Sequence, residues 1–174
     1  MDWYSTLFEI IDMRSFSNLW YWIALAVLWS TASHWVLGVP FDMVQRADRH
    51  EGQVQLDLEV LVRIYCNRIL YIAAISGLWL LGLACGLLTM LLLLGFFYGV
   101  EFAQAVFLMA FPMSIVGMLT INTARIITEQ ALEGPSLRKR LSRHRFQVQL
   151  IGMLSIFITS MWGMYQNLAL NVWG

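Results

Sequence analysis

Charge is what this sequence has least of. Asp, Glu, Lys and Arg make up 13% of its 174 residues, against roughly 25% in an average soluble domain. Hydrophobic residues reach 59%, and mean hydropathy is +0.66. A water-soluble fold of this length cannot cover that much apolar surface, so most of it must face lipid or another apolar protein. The composition points to an integral membrane protein whose partners are membrane lipids and another membrane protein or complex, with a homo-oligomer open and nucleic acid set aside.

Cysteine is nearly absent as well. Cys66 and Cys85 fall nineteen residues apart on what reads as one helix, too far along it to bridge within a chain. They have no metal-ligand spacing. His34 is the only histidine in an apolar stretch, and His50 and His144 lie outside them, so a bis-histidine haem lacks a second ligand at matching depth. No HExxH, GxSxG or Gly-rich phosphate loop occurs. The expectation is a non-catalytic chain with no cofactor and no metal.

What is present is long apolar runs. Four segments have the roughly 20 apolar residues that a spanning helix needs: Asn18 to Gly38, and about 69–94, 102–124 and 148–172. Backbone groups in lipid must pair internally, so these runs read as helices. The last three hold no charged side chain, which argues against a proton or ion path. Pro112 is expected to kink the third span. Gly82 and Gly86, four apart, are expected to pack a neighbouring helix closely. Ser160, Gly163, Gln166, Asn167 and Asn171 form a polar stripe on the fourth, read as a means of holding helices together.

Ten of the eleven basic residues fall in 39–68 or 125–145. Short loops rich in Lys and Arg stay cytoplasmic, so both basic segments are expected inside, with the chain ends and the turn at 95–101 outside. Asp2, Glu9 and Asp12 outweigh Arg14 ahead of the first span, the wrong sign for a signal-peptide n-region. Residues 3–16 place Trp3, Leu7, Ile10, Ile11 and Phe16 near one face, which predicts an interfacial helix.

The basic segments share a sentence. Residues 46–56 read RADRHEGQVQL and residues 140–150 read RLSRHRFQVQL, identical at seven of eleven positions. Arg46, Arg49 and His50 thus correspond to Arg140, Arg143 and His144. Each copy precedes a helix that leaves outward, so the expected fold class is an all-α membrane four-helix bundle of two parallel-repeat helical hairpins, 17–93 and 102–172. The arginine forks suit lipid phosphate or a partner; fixing topology is the plainer reading. Between the first copy and its span, Leu58, Leu61, Val62, Tyr65 and Ile69 recur at helical spacing. They predict a cytoplasmic extension of the second span whose apolar stripe needs a partner.

The stretches IDMRSFSNLWYWIALAVLWSTASHWVLGVPFD and YGVEFAQAVFLMAFPMS, with WGMYQN near the end, resemble a family of small multi-span inner-membrane proteins of Rhodobacter-type alphaproteobacteria. Some members are labelled as components of the Suf-type iron–sulfur assembly complex. The resemblance implies an inner-membrane location; this chain has neither a ligand cysteine cluster nor an ATPase motif. Together these readings favour an accessory, assembly or scaffold subunit of a larger inner-membrane complex. The alternatives are a small oligomeric transporter or channel, or an anionic-lipid-binding protein. In a cysteine-free background, a cysteine at Tyr98 should react with an impermeant maleimide added to intact spheroplasts, and one at Ser136 only after lysis; the reverse pattern inverts the topology.

Overall fold

The computed structural model describes residues 15–50 and 52–172, and among these it is almost wholly helical. A 3₁₀ turn at Ser15–Ser17 leads into α1, Leu19–His34, capped by the Asn18 side chain, which accepts from the Trp20 N–H at 3.1 Å. Two short antiparallel strands follow, β1 (Trp35–Val36) and β2 (Val39–Pro40). Then come α2, Phe41–Arg49, and α3, Gln53–Leu92, which ends in a π turn at Leu93–Phe97. Helices α4, Glu101–Glu129, and α5, Gly134–Val172, complete the chain. The interfacial helix expected before Ser15 lies outside the described residues.

Among the described residues, three helices are long and apolar enough to cross a membrane: α3 with its π turn, α4 and α5. The first expected span, Asn18 to Gly38, is helical for only 16 residues, about 24 Å at 1.5 Å per residue. It stops because the chain turns sharply at Leu37 and Gly38, both with positive φ (53° and 82°), the sign required at both central positions of a type I′ turn. A Cβ on Gly38 would stand 2.7 Å from the Tyr65 ring, so any other residue there would meet both strain and a clash.

The expected pair of matching hairpins is not what packs. Helices α3 and α4 do lie antiparallel, and α4 lies against α5, but α1 packs on α5 rather than on α3. The two copies of the basic sentence also adopt different structures. The first passes out of α2 and into α3, with Gly52 (φ 107°) between them, whereas the second lies wholly inside α5.

Nor are the basic segments loops. Helix α2, the first part of α3, the end of α4 and the start of α5 form a helical head around Val44, Ala47, Leu58, Val62, Cys66, Ala124, Ile127, Leu137 and Leu141, with the strands covering one end. The inward stripe of α3 predicted from Leu58, Leu61 and Val62 therefore finds its partner inside this chain. A second, smaller core joins α1, α4 and α5 through Leu25, Trp29, Val116 and Val148. Trp29 fits because residue 152 is glycine: a Cβ there would lie 2.8 Å from the indole.

Helix α4 stays continuous through the buried Pro112. Proline lacks the N–H that would pair with the Leu108 carbonyl, and the Ser155 hydroxyl of α5 reaches that oxygen at 3.5 Å. Gly82 and Gly86 do not pack a helix of this chain, since nothing lies within 4 Å of a Cβ built on either. Helix α4 takes the opposite side of α3, so both glycines stay uncovered. The close approach occurs instead at Gly95, where a Cβ would come within 2.9 Å of the Gln104 amide nitrogen.

Leu141 is fully buried in the head core, so Leu141→Ala should cost about 2–5 kcal/mol and lower the melting temperature in detergent, while Gly82→Ala should leave the fold's melting temperature unchanged.

Candidate functional site

The sequence directs attention to the head, and the structure sorts its basic residues into distinct roles. Arg46 pairs with Asp42 one turn earlier at 2.7 Å. Both are exposed, and such pairs contribute little. Arg49 and His50 are exposed at the end of α2. Arg143 is exposed on α5 and Arg140 half-buried, whereas His144 is only 3% exposed. Its Nδ1 lies 3.1 Å from the Thr123 hydroxyl of α4. Identical Arg-His pairs thus end in opposite environments.

They also stand at different depths. The Arg145 guanidinium covers the Phe41 ring, and Asp48 meets Arg138, so α2 runs antiparallel to α5. Asp48, next to Arg49 and His50, is level with a residue ten positions before Val148, about 15 Å along the helix; Arg143 and His144 lie within about 8 Å of Val148. The two pairs therefore stand at different heights along α5.

The residue that organises the head was not singled out by the repeat. Arg138, with an 11% exposed side chain, donates from Nη1 to Gln55 Oε1 at 2.6 Å and from Nε to Asp48 Oδ1 at 3.2 Å. It thereby ties α5 to both α2 and α3. Beside it, Glu59 Oε1 accepts from Gln55 Nε2 at 2.6 Å and from the Gly134 N–H at 2.8 Å. These two hydrogen bonds hold the Glu59 carboxyl below its usual range. A carboxylate at the first amide of α5 also opposes the helix dipole favourably. The sequence does show Arg138 in the basic cluster, but nothing local says which of five cations there turns inward.

Burial, with Arg140 nearby, pushes the His144 imidazole down to about 4, so it is neutral at pH 7. Its tautomer is the one that complements the Thr123 hydroxyl. A cavity of about 250 Å³ lies between α3 and the α4–α5 turn, lined by Glu59, Arg63, Cys66, Asn67, Thr128 and Glu133 among others. Its charges are answered internally, Arg63 by Glu133 at 3.3 Å and Glu59 as above. No group of three or more His, Cys, Asp or Glu side chains that could hold a metal ion occurs among the described residues.

At the opposite end of the molecule a second polar group joins four elements. Gln104 donates from Nε2 to the Gly95 carbonyl at 2.7 Å, and its Oε1 accepts from Trp162 Nε1 at 3.0 Å and from Gln166 Nε2 at 2.7 Å. Glu101 accepts from the Phe16 N–H at 2.7 Å, and Ser17 donates to Asn167 at 2.7 Å. Of the polar stripe read from sequence, Gln166 and Asn167 do join helices to their neighbours, and Gly163 seats Phe16 and Trp22. Ser160 is exposed instead, and the Asn171 side chain lies outside the described residues. The centre of the cluster, Gln104, was signalled only as a lone amide in an apolar run.

Comparison with protein-family models, curated proteins and solved structures returned no match. What the described residues show is two polar clusters that tie helices together.

The His144 value lies below that of the unfolded chain, about 6.5. Its contribution to stability is complete above pH 6.5 and is lost as pH falls from there towards 4. The wild-type melting temperature should drop between pH 6.5 and 5, and His144→Asn should flatten that drop; equal slopes would show that His144 does not carry it.

Proposed function

We propose that this chain is a non-catalytic accessory, assembly or scaffold subunit of an inner-membrane complex, crossing the bilayer four times with the head on the cytoplasmic side. The fourth crossing would be the shorter segment from Asn18 through the strands. The positive-inside rule supports the side, because ten of the eleven cations lie in the head segments.

The observation that carries the reading is the outer face of α3. Leu56, Val60 and Ile64 succeed one another at four-residue spacing and are 55%, 57% and 58% exposed. They lie before the apolar run that starts near Ile69, where lipid would not cover them. An apolar stripe on a water-facing helix marks an interaction surface. The same uncovered side of α3 continues through Tyr71, Ile75 and Leu78 to Gly82 and Gly86. A partner helix lying along it would meet apolar side chains in the head and small residues in the membrane, where close backbone approach favours association.

A transport role has less behind it, since the polar groups around Gln104 are engaged with one another rather than lining a path. Extraction of the native membrane into a mild detergent or polymer, followed by native mass spectrometry, is the test. A different protein in stoichiometric amount is expected. The chain alone, or a homo-oligomer of it, would sink the reading. Changing Leu56, Val60 and Ile64 together to Gln should release the partner while leaving the helical content and melting temperature of the chain itself unaltered.

A further inference from the structure

We propose that the partner laid along α3 is a membrane helix of a different protein that carries an aspartate or glutamate opposite Arg68. This rests on the α3 face being the partner surface, as proposed above, and names the group the partner must bring to it.

Arg68 continues the apolar stripe. Leu56, Val60, Ile64 and Arg68 follow at four-residue spacing, which sets neighbours on one helix face, and Arg68 is exposed. It stands one residue before the apolar run that starts near Ile69, between the bare head stripe and the small residues Gly82 and Gly86. Leu56 lies about 18 Å from it along the axis in one direction and Gly82 about 21 Å in the other. A helix that covers both ends of this face therefore passes over Arg68.

No described residue of this chain answers that charge. The Arg68 guanidinium makes no ion pair among the described residues. The last carboxylate on α3 is Glu59, about 13.5 Å earlier along the helix, and it is taken by Gln55 and the Gly134 N–H. Helix α4 lies on the opposite side of α3, and its neighbour Glu133 pairs with Arg63. Exposed to water, a guanidinium needs no partner. Under a helix at the edge of the bilayer it loses that water, cannot release its proton, and becomes an uncompensated charge, which is strongly destabilising. The partner's backbone carbonyls are used within its own helix, and a neutral amide leaves the charge unbalanced. A carboxylate supplies two acceptor oxygens that match the guanidinium fork and the opposite charge as well.

A second copy of this chain does not fit. A twofold interface pairs the same patch on both subunits, so two copies in one membrane orientation would set Arg68 against Arg68. The rest of the face offers Leu56, Val60, Ile64, Ile75 and Leu78, with no carboxylate to separate the like charges. A phospholipid phosphate would match Arg68 alone, because Leu56, Val60 and Ile64 lie on its water side. A protein helix covers both.

The experiment uses the full chain carrying Arg68→Lys in its native membrane, treated with a membrane-permeant carbodiimide. The reagent activates a carboxylate, and a lysine amine in contact with it forms an amide without a spacer, releasing the reagent as its urea. Peptide mapping should find residue 68 joined to an Asp or Glu of a different protein. The wild type is the blank, because its one lysine, Lys139, is on α5. In parallel, Arg68→Gln should lower retention of that protein in the detergent particle at least tenfold. Arg63→Gln removes an exposed cation whose partner Glu133 is in this chain and should change retention less than twofold. Arg68 is exposed, so its variants should keep the wild-type melting temperature. Equal losses from the two Gln variants would mean general attraction to a basic surface and overturn the assignment. An adduct to a second copy overturns it, as does no adduct while the protein stays bound. Loss of bound phosphatidylglycerol from Arg68→Gln with the protein retained assigns the charge to lipid instead. If Arg68→Gln keeps the protein and the triple change of Leu56, Val60 and Ile64 releases it, this inference fails and the α3 reading stands; a wild type that retains no different protein sinks both.

Discussion

The head depends on Arg138. A guanidinium with little solvent contact must find acceptors, because an uncompensated buried charge is strongly destabilising. Here the acceptors come from two different helices, Asp48 of α2 and Gln55 of α3. Neither helix lies near α5 in sequence, so this one side chain draws together parts of the chain about 90 residues apart. Glu59 then fixes the start of α5 by accepting from its first amide. The apolar core under these bonds supplies the larger share of the driving force, but it is non-directional. The polar bridge selects which face of α2 and which end of α3 meet α5.

The far end of the molecule follows the same logic with neutral groups. Gln104 makes three hydrogen bonds and joins α4, α5 and the π turn. Close contact at Gly95 makes this geometry possible, since any side chain there would push α3 away from α4. Between these two polar clusters the helices are held by packing, with Pro112 and Gly152 as local accommodations. The outer side of α3 takes no part in either cluster. It is left exposed along much of its length, which is why it is the surface we propose for a partner.

Part of this was legible beforehand. The all-α character, the long apolar runs and the helical extension of α3 follow from hydropathy and from the spacing of Leu58, Leu61, Val62, Tyr65 and Ile69. The extension also shows why the reading was incomplete. Val54, Leu56, Leu58 and Val60 alternate like a strand because the helix has two apolar sides, one packed in the head through Leu58 and Val62, the other bare through Leu56 and Val60. The repeated basic sentence was the most visible motif and misled most about geometry. Seven identities place His50 in solvent and His144 against Thr123, because Gly52 interrupts one copy and nothing interrupts the other.

Composition and periodicity are local properties, and by themselves they determined that this chain is helical, apolar and divided into a charged part and an uncharged part. They depend on which residues follow one another, and that is all a sequence displays directly. The pairing of α1 with α5 rather than α3, the inward turn of Arg138 and the stacking of Arg145 on Phe41 were decided only by the tertiary structure. Each depends on which helix lies opposite at a given height. That arrangement emerges when the whole set of apolar faces and buried polar groups is satisfied at once.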